Sequence, residues 1–503
     1  MTLNKEMNKT TNNRLLKMSS EYKQASFTTI ISFLLTLVLA LNSFGFGTQA
    51  AKPAVLAVTI AYAAFTVLQL WITRRIRHDV LTADTLQKST RRFGWVLLLS
   101  GLTANFFMVS FAFNLIKTKK TPEYVFAVYM VMVQLFIVAV SALNLFKPYV
   151  ADLFPLGMLV LLSVAFFYLI VLVLMARFVD EHAADKRLIW IAIPLILTAA
   201  TGNLFALLLS VSLLLKIRRQ KQPGISQWNL IWTKITRNTT AMLGMFFIVF
   251  VFAISVSSYL TFDYDLAIAN NFAVLLQPPS LAYPLGTDDF GRDMFSRIVF
   301  GARISLIVGV LSTAIPFIVG GMLGALSGYY GRRTDNVIMR LLDILYAVPG
   351  ILLAIAIIAA FGANTVNLII ALSVGAIPTY ARTMRANVLM VSNLEYVDSA
   401  RALGSGDMEI LFKHIVPNSL APMIVKATLT IGGAVIATSS LSYLGLGVEP
   451  HIPEWGNILK IGSTYLESHS YLAIFPGLAI IALVLSFNFL GDGLRDALDP
   501  KMD

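Results

Sequence analysis

Apolar residues along this chain come in long blocks, not in alternation. Blocks stand near residues 27–47, 53–73, 93–116, 124–146, 153–176 and 188–215, then near 240–262, 302–327, 338–361, 365–381, 418–444 and 471–490. Crossing the hydrocarbon of a bilayer as a helix takes about 20 residues, which most of these blocks supply. In lipid the backbone must satisfy its own polar groups, so helices are expected rather than open sheets. The predicted fold class is all-α: a polytopic membrane protein of about 12 transmembrane helices, six in each half.

Charge is sparse and confined to the gaps. Of 503 residues 57% are hydrophobic and 13% charged, against roughly 25% charged in a soluble domain. The net charge of +12 sits in loops, where the preference of Lys and Arg for the cytoplasmic side explains it without nucleic acid. Arg74, Arg75, Arg77, Lys88, Arg91 and Arg92 follow the second block, and Lys216, Arg218, Arg219 and Lys221 follow the sixth. These place the N-terminus and the basic linker in the cytoplasm, and an even number of spans returns the C-terminus to the same side of a membrane that the protein crosses many times. Lys117, Lys119 and Lys120 fall on the wrong side of a twelve-span arrangement. The chain has no cysteine, which removes disulfides and thiolate metal sites.

Residues 1–26 form a basic cytoplasmic segment ahead of the first block. A cleaved signal peptide is the competing reading, with Thr48-Gln49-Ala50-Ala51 as its site, but the run from Phe27 to Phe46 exceeds the usual apolar region of about 7–15 residues. Residues 27–215 are then an N-terminal transmembrane domain. The polar, basic stretch 216–227, broken by Pro223-Gly224, is a cytoplasmic linker, and 228–503 form a second domain.

Between two blocks of that second domain lies EYVDSARALGSGDMEILFKHIVPN, Glu395 to Asn418, which is charged and broken by glycine. Ser392 and Glu395 have the spacing of a capping box. Gly404 suits the left-handed end of a first short helix. A second short helix is expected over Asp407–His414, ended by Pro417. The result is a helix–glycine–helix elbow at about 392–417. It is either a solvated amphipathic hairpin or a lever that docks on a cytoplasmic partner.

Several motifs decide between these. Glu395, Ser399, Ala400, Gly404, Ile415 and Pro417 resemble the EAA loop of ABC importer permeases, with Ser in place of the first Ala of the motif. GTDDFGRDMFSRIVFGARISLIVG (from Gly286), GYYGRRTDNVIMRLLDILYAVPG (from Gly328), SYLGLG (from Ser442), FNFLGDGLRDALDP (from Phe487) and WNLIWTKITRNTTAMLG (from Trp228) resemble the C-type permease of the dipeptide/oligopeptide/nickel family. The resemblance covers about 228–503; residues 1–225 depart from it. It implies a non-catalytic membrane subunit that pairs with a B-type permease and docks on two ABC ATPase subunits through its elbow. It also implies substrate delivery by an extracytoplasmic binding protein. Ala400 is then expected beneath the docked ATPase. No Gly-x4-Gly-Lys-Ser/Thr loop occurs, so no cofactor is expected on this chain and ATP with Mg belongs to the partners. Peptides are the implied substrate, with nickel, metallophores and glutathione-like compounds as alternatives.

Other residues carry weaker signals. Gly286, Thr287, Asp288, Gly291, Arg292 and Asp293 form a loop that either shapes the outer vestibule or is structural, tied by Arg292 to a nearby Asp. Its spacing is not that of a calcium loop, and no metal site is expected. Arg340 and Asp343 are placed to pair on one helix face, as a structural pair or as part of a gate. An ion-coupled secondary transporter is the competing class; it calls for charged, broken helices at mid-membrane, and the sequence shows no convincing ones. Because six spans return the chain to the cytoplasm, a chain starting near Ile225 is expected to insert, assemble with its partners and transport.

Overall fold

The computed structural model describes residues 16, 19–43, 53–83, 86–103, 105–118, 120–148, 150–180, 184–219, 227–449 and 451–499. Thr48–Ala51 and linker residues 220–226 lie outside them. The described residues are helical throughout, apart from loops and two isolated backbone bridges, Val179–Ala184 and Thr287–Asp293. Among the described residues, eight helices are long and apolar enough to cross a membrane, and a bent pair makes up to nine. The chain divides into two compact units: 1–132 with 166–197 and 205–224, and 225–503 with 133–165 and 198–204.

In the first unit, α1 (Ser20–Ser43) and α2 (Pro53–Ala83) run antiparallel. Hydroxyls seven residues apart on each helix meet in pairs: Thr29 with Thr73 (2.8 Å), Thr36 with Thr66 (2.9 Å) and Ser43 with Thr59 (2.8 Å). Without a hydrophobic force between helices in lipid, such bonds are the available glue, at about 0.6 kcal/mol each.

The predicted span 93–116 is not one helix. α3 (Lys88–Leu97) and α4 (Phe106–Ile116) are joined by a 3-10 turn and fold back on each other. A Cβ on Gly94 would lie 2.6 Å from Ile116 and 2.9 Å from the Ala112 carbonyl. Asn105 caps α4 by accepting from Met108 N, and its amide reaches Ser32 Oγ at 3.4 Å, midway along α1. At the base Arg91 donates to the carbonyls of Leu115 and Lys117. The hairpin therefore dips to mid-depth and returns, leaving Lys117 at the end where Lys88 entered.

The predicted span 188–215 is broken in the same way, into α7 (Ile189–Thr198) and α8 (Leu204–Arg219). Ser210 Oγ donates to the Ala192 carbonyl at 2.8 Å across 18 residues, which a straight helix would hold about 27 Å apart. Gly202, at φ 89°, turns the chain. At the base Lys216 Nζ meets Glu123 Oε2 at 3.0 Å, both buried. Among the described residues before 220, the helices long enough for a full crossing are thus α1, α2, α5 (Pro122–Ala142) and α6 (Phe154–Phe178).

The second unit is built on α10 (Thr239–Thr261), preceded by the amphipathic α9 (Gln227–Arg237), and on α11 (Met294–Tyr330). Gly320, Gly324 and Gly328, spaced by four, let α11 lie directly on α14 (Thr365–Val391): a Cβ on Gly324 would be 2.2 Å from the Ala381 carbonyl. The predicted span 338–361 is instead α12 (Arg332–Tyr346) and α13 (Gly350–Phe361), bent by 80°. Pro349 lies at the bend. Pro378 lies inside α14.

Candidate functional site

The elbow begins with α15 (Glu395–Ala402). Its cap is not the predicted box: Ser392 Oγ donates back to the Leu389 carbonyl at 3.2 Å, and Leu394 occupies the cap position without a side-chain bond. Ser392 serves the preceding helix because α14 continues to Val391, well beyond the end of its apolar block at residue 381. Ser399 is exposed and donates to the Glu395 carbonyl. Gly404 stands at φ 87° with open space around it. Backbone angle alone demands glycine there.

Beyond Gly404 no break follows. Asp407–Glu409 leads into a π turn, Ile410–Ile415, and then directly into α16 (Val416–Tyr443). Pro417, predicted to end the short helix, sits at the first turn of α16. A proline removes one backbone donor and crowds the carbonyl four residues back; the widened π turn accommodates this without a break. The elbow's second arm and the span are one continuous helical stretch of 37 residues, Asp407–Tyr443.

One face of the elbow is buried. Val397, Ala400, Ile410, Leu411 and Ile415 pack with Tyr380, Met384 and Val388 of α14. Ala400 therefore faces the chain's own core and not a partner, correcting the expectation for it. Leu403, in the turn between the two arms, is 88% exposed, and Met408 and Phe412 of the second arm are 55% and 47% exposed. Tyr329 at the end of α11 donates to Asp407 Oδ1 at 2.7 Å, bracing the second arm. Phe412 lines a groove with Phe317 and Met322 of α11, so Leu403 is the apolar side chain that stands clear of the chain's own packing.

Arg340 and Asp343 do not pair with each other. Asp343 takes Arg382 of α14 at 2.7 Å, and Arg340 is exposed on α12. Nearby, Arg385 holds Asp335 through two bonds of 2.6 Å, and Ser327 also donates to Asp335. Sequence spacing missed both inter-helix pairs because the bend after α12 turns that helix against α14, which no local pattern encodes.

At the other end of α11, the loop picked out by sequence is self-braced. Asp288 Oδ1 accepts from the backbone of Phe290 and Arg292 (both 2.9 Å), and Oδ2 meets Arg292 Nε at 2.8 Å and Arg297 Nε at 3.6 Å. Thr287 Oγ1 accepts from Gln277 N. Asp293 caps α11, accepting from Phe295 N and Ser296 N. Gly286 (φ 80°) and Gly291 (φ 73°) permit the turn, and a Cβ at Gly291 would strike the Asn271 carbonyl at 1.8 Å. Thr287, Asp288, Arg292 and Asp293 are buried, while Phe290 is exposed. Partial burial, with Asp288 close by, pushes the Asp289 carboxyl up.

Comparison with known proteins bears on the second unit. Residues 320–503 match the family model "Binding-protein-dependent transport system inner membrane component", and residues 226–279 match "N-terminal TM domain of oligopeptide transport permease C". A glutathione transport system permease protein of Pectobacterium atrosepticum is 42% identical over 275 residues, 55% of this chain and 91% of that protein. A dipeptide transport system permease protein of Alkalihalophilus pseudofirmus is 42% identical over 279 residues, 56% of this chain and 91% of that protein. Among solved structures, a chain of the MetNI methionine ABC transporter in an inward-facing conformation aligns with 40% of this chain and 97% of its own. Its TM-score is 0.34 at 21% identity.

Proposed function

This chain belongs to the family of binding-protein-dependent transport system inner membrane components, as a permease subunit of an ATP-binding cassette importer, and from that premise we propose that it moves short peptides and is driven through its elbow. Both named relatives carry compounds with peptide bonds, dipeptides in one case and glutathione in the other. The observation that carries the driving role is Leu403, 88% exposed on a support whose other face is buried in the chain's own core. An exposed apolar side chain of that size on a rigid base suits insertion into a partner's cleft.

In this reading the Glu395–Ile415 elbow, the linker after α8 and both chain termini are cytoplasmic. Residues 263–293 are extracytoplasmic. The partners are a B-type permease, two ATPase subunits that bind ATP and Mg, and a soluble binding protein on the outer side. The arrangement agrees with the distribution of charge: Lys117, which a straight span would have sent outward, returns to the cytoplasmic end with Arg91.

Reconstitution in vesicles tests this. The chain with its four partners is expected to take up labelled dipeptide or glutathione only when ATP and the loaded binding protein are present. Uphill uptake by the chain alone, driven by a proton or sodium gradient, would overturn the reading.

A further inference from the structure

Residues 133–165 lie outside both segments matched by the family models, 226–279 and 320–503, yet they pack in one compact unit with 225–503. Phe136 stands edge-on to Phe246 and Phe250 of α10, with ring centres 5.7 and 6.1 Å apart. Asn144 donates to the Thr261 carbonyl at 2.8 Å, and Ser141 meets the Thr261 hydroxyl at 3.2 Å. Gly157 fits against Leu260, where a Cβ would come within 2.9 Å of the leucine Cβ. The contact is specific along its length.

It culminates at Lys147. The ammonium lies 2.7 Å from Asp293 Oδ2 and 2.8 Å from Ser296 Oγ, between the rings of Phe262 and Phe295, each 5.3 Å from its centre. The two charged side chains are 1% and 0% exposed. Asp293 Oδ2 also accepts from Ser296 N (3.0 Å) and Ser296 Oγ (2.6 Å). The same carboxylate thus caps α11, at the end of the Gly286–Asp293 loop, and holds a cation from another part of the sequence. Burial pushes the Lys147 ammonium down, and Asp293 pulls it back up. Stranding one member of a buried ion pair is far more damaging than removing both.

We propose that Lys147 is a positioning residue for transport: the added N-terminal region uses it to hold the start of α11 and the Gly286–Asp293 loop at the extracytoplasmic mouth. This rests on the outward placement of that loop in the importer reading. Three variants of the full chain in the complete complex test it: Lys147→Met, Lys147→Arg and Lys147→Met with Asp293→Asn. Asparagine still caps a helix, so the double variant removes both charges and keeps the cap.

Two readouts separate this proposal from the importer reading. In Lys147→Met, amide hydrogen exchange over Thr287–Ser296 is expected to accelerate at least tenfold, with exchange over Glu395–Ile415 unchanged. The concentration of loaded binding protein giving half-maximal ATP hydrolysis is expected to rise about tenfold. The double variant and Lys147→Arg are expected to return both readouts to within about threefold of the parent. Unchanged exchange in Lys147→Met overturns the proposal. So does a double variant as defective as the single one, including one that likewise fails to accumulate should the single variant be lost from the membrane. Faster exchange with an unmoved half-saturation upholds the positioning and counts instead against docking of the binding protein at this mouth.

Discussion

Replacing Leu403 by Asp separates the exposed face of the elbow from its buried face. Leu403 is 88% exposed, so the substitution costs the isolated chain little, within about 0.5 kcal/mol for an exposed site free of special features. In a complex, a fully covered leucine contributes about 2 kcal/mol through apolar burial. Losing it weakens ATPase binding about 30-fold, and a carboxylate left in an apolar cleft weakens it further. Ala400→Asp is the contrasting variant. Ala400 packs with Val397, Ile410 and Ile415, so Asp there is expected to disrupt the elbow itself. The assay titrates ATPase subunits onto the purified permease pair and follows melting in parallel. Leu403→Asp should melt like the parent and bind ATPase at least 30-fold more weakly, while Ala400→Asp should melt earlier. Parent-like ATPase affinity in Leu403→Asp would refute Leu403 as the docking contact.

Gly404→Pro is expected to abolish uptake while the chain still reaches the membrane, since φ 87° is closed to proline; uptake beside a membrane-level blot checks this. Gly324→Leu is expected to lower the melting temperature sharply, because even its Cβ would sit 2.2 Å from the Ala381 carbonyl; a detergent melt with Gly433→Leu as control, where nothing lies near the added Cβ, measures it. Because the chain has no cysteine, Thr118→Cys and Leu281→Cys report sidedness directly. In intact cells stripped of any outer barrier, an impermeant thiol reagent is expected to label position 281 and not 118, whereas labelling of 118 would restore the straight span.

Much of this was legible in the residue pattern, and the failures share a cause. Block hydropathy found every membrane-embedded segment, but it measures how much chain is apolar and not whether the chain turns. The 93–116 block contains Gly101 and Asn105 where α3 and α4 reverse, and 188–215 contains Gly202-Asn203 at its own turn. Lys117, Lys119 and Lys120 carried the signal: three cations on the unfavoured side argued for a missing reversal. Heptad hydroxyls at 29, 36 and 43 against 59, 66 and 73, and glycines at 320, 324 and 328, were equally readable as helix contacts. At the elbow, Gly404 followed from backbone sterics alone. Ala400 did not, because which face of a short helix is buried depends on α14, far away in sequence. Arg382 and Arg385 were likewise invisible as the partners of Asp343 and Asp335.

Topology and burial give different answers about the N-terminal region, and burial is the stronger constraint. The four crossings among the described residues before 220, like six, are an even number, so a chain beginning near Ile225 still presents Trp228 and α9 to the membrane from the intended side. Parity alone therefore predicts that such a chain works. The same cut, however, removes Asn144 from the Thr261 carbonyl and Lys147 from Asp293. A buried carboxylate deprived of its cation costs about 3–5 kcal/mol, and the strain falls on the residue that caps α11. Against a total stability of roughly 5–15 kcal/mol for a domain, that is enough to empty the folded state or leave the outer loop loose. Cells carrying only the shortened chain are thus expected to show reduced membrane levels and little uptake. Asp293→Asn in the shortened chain is expected to recover part of both, since it removes the stranded charge while keeping the helix cap. Full uptake by the shortened chain without that substitution would mean that the permease half carries Asp293 unaided, and that residues 133–165 merely lie beside it.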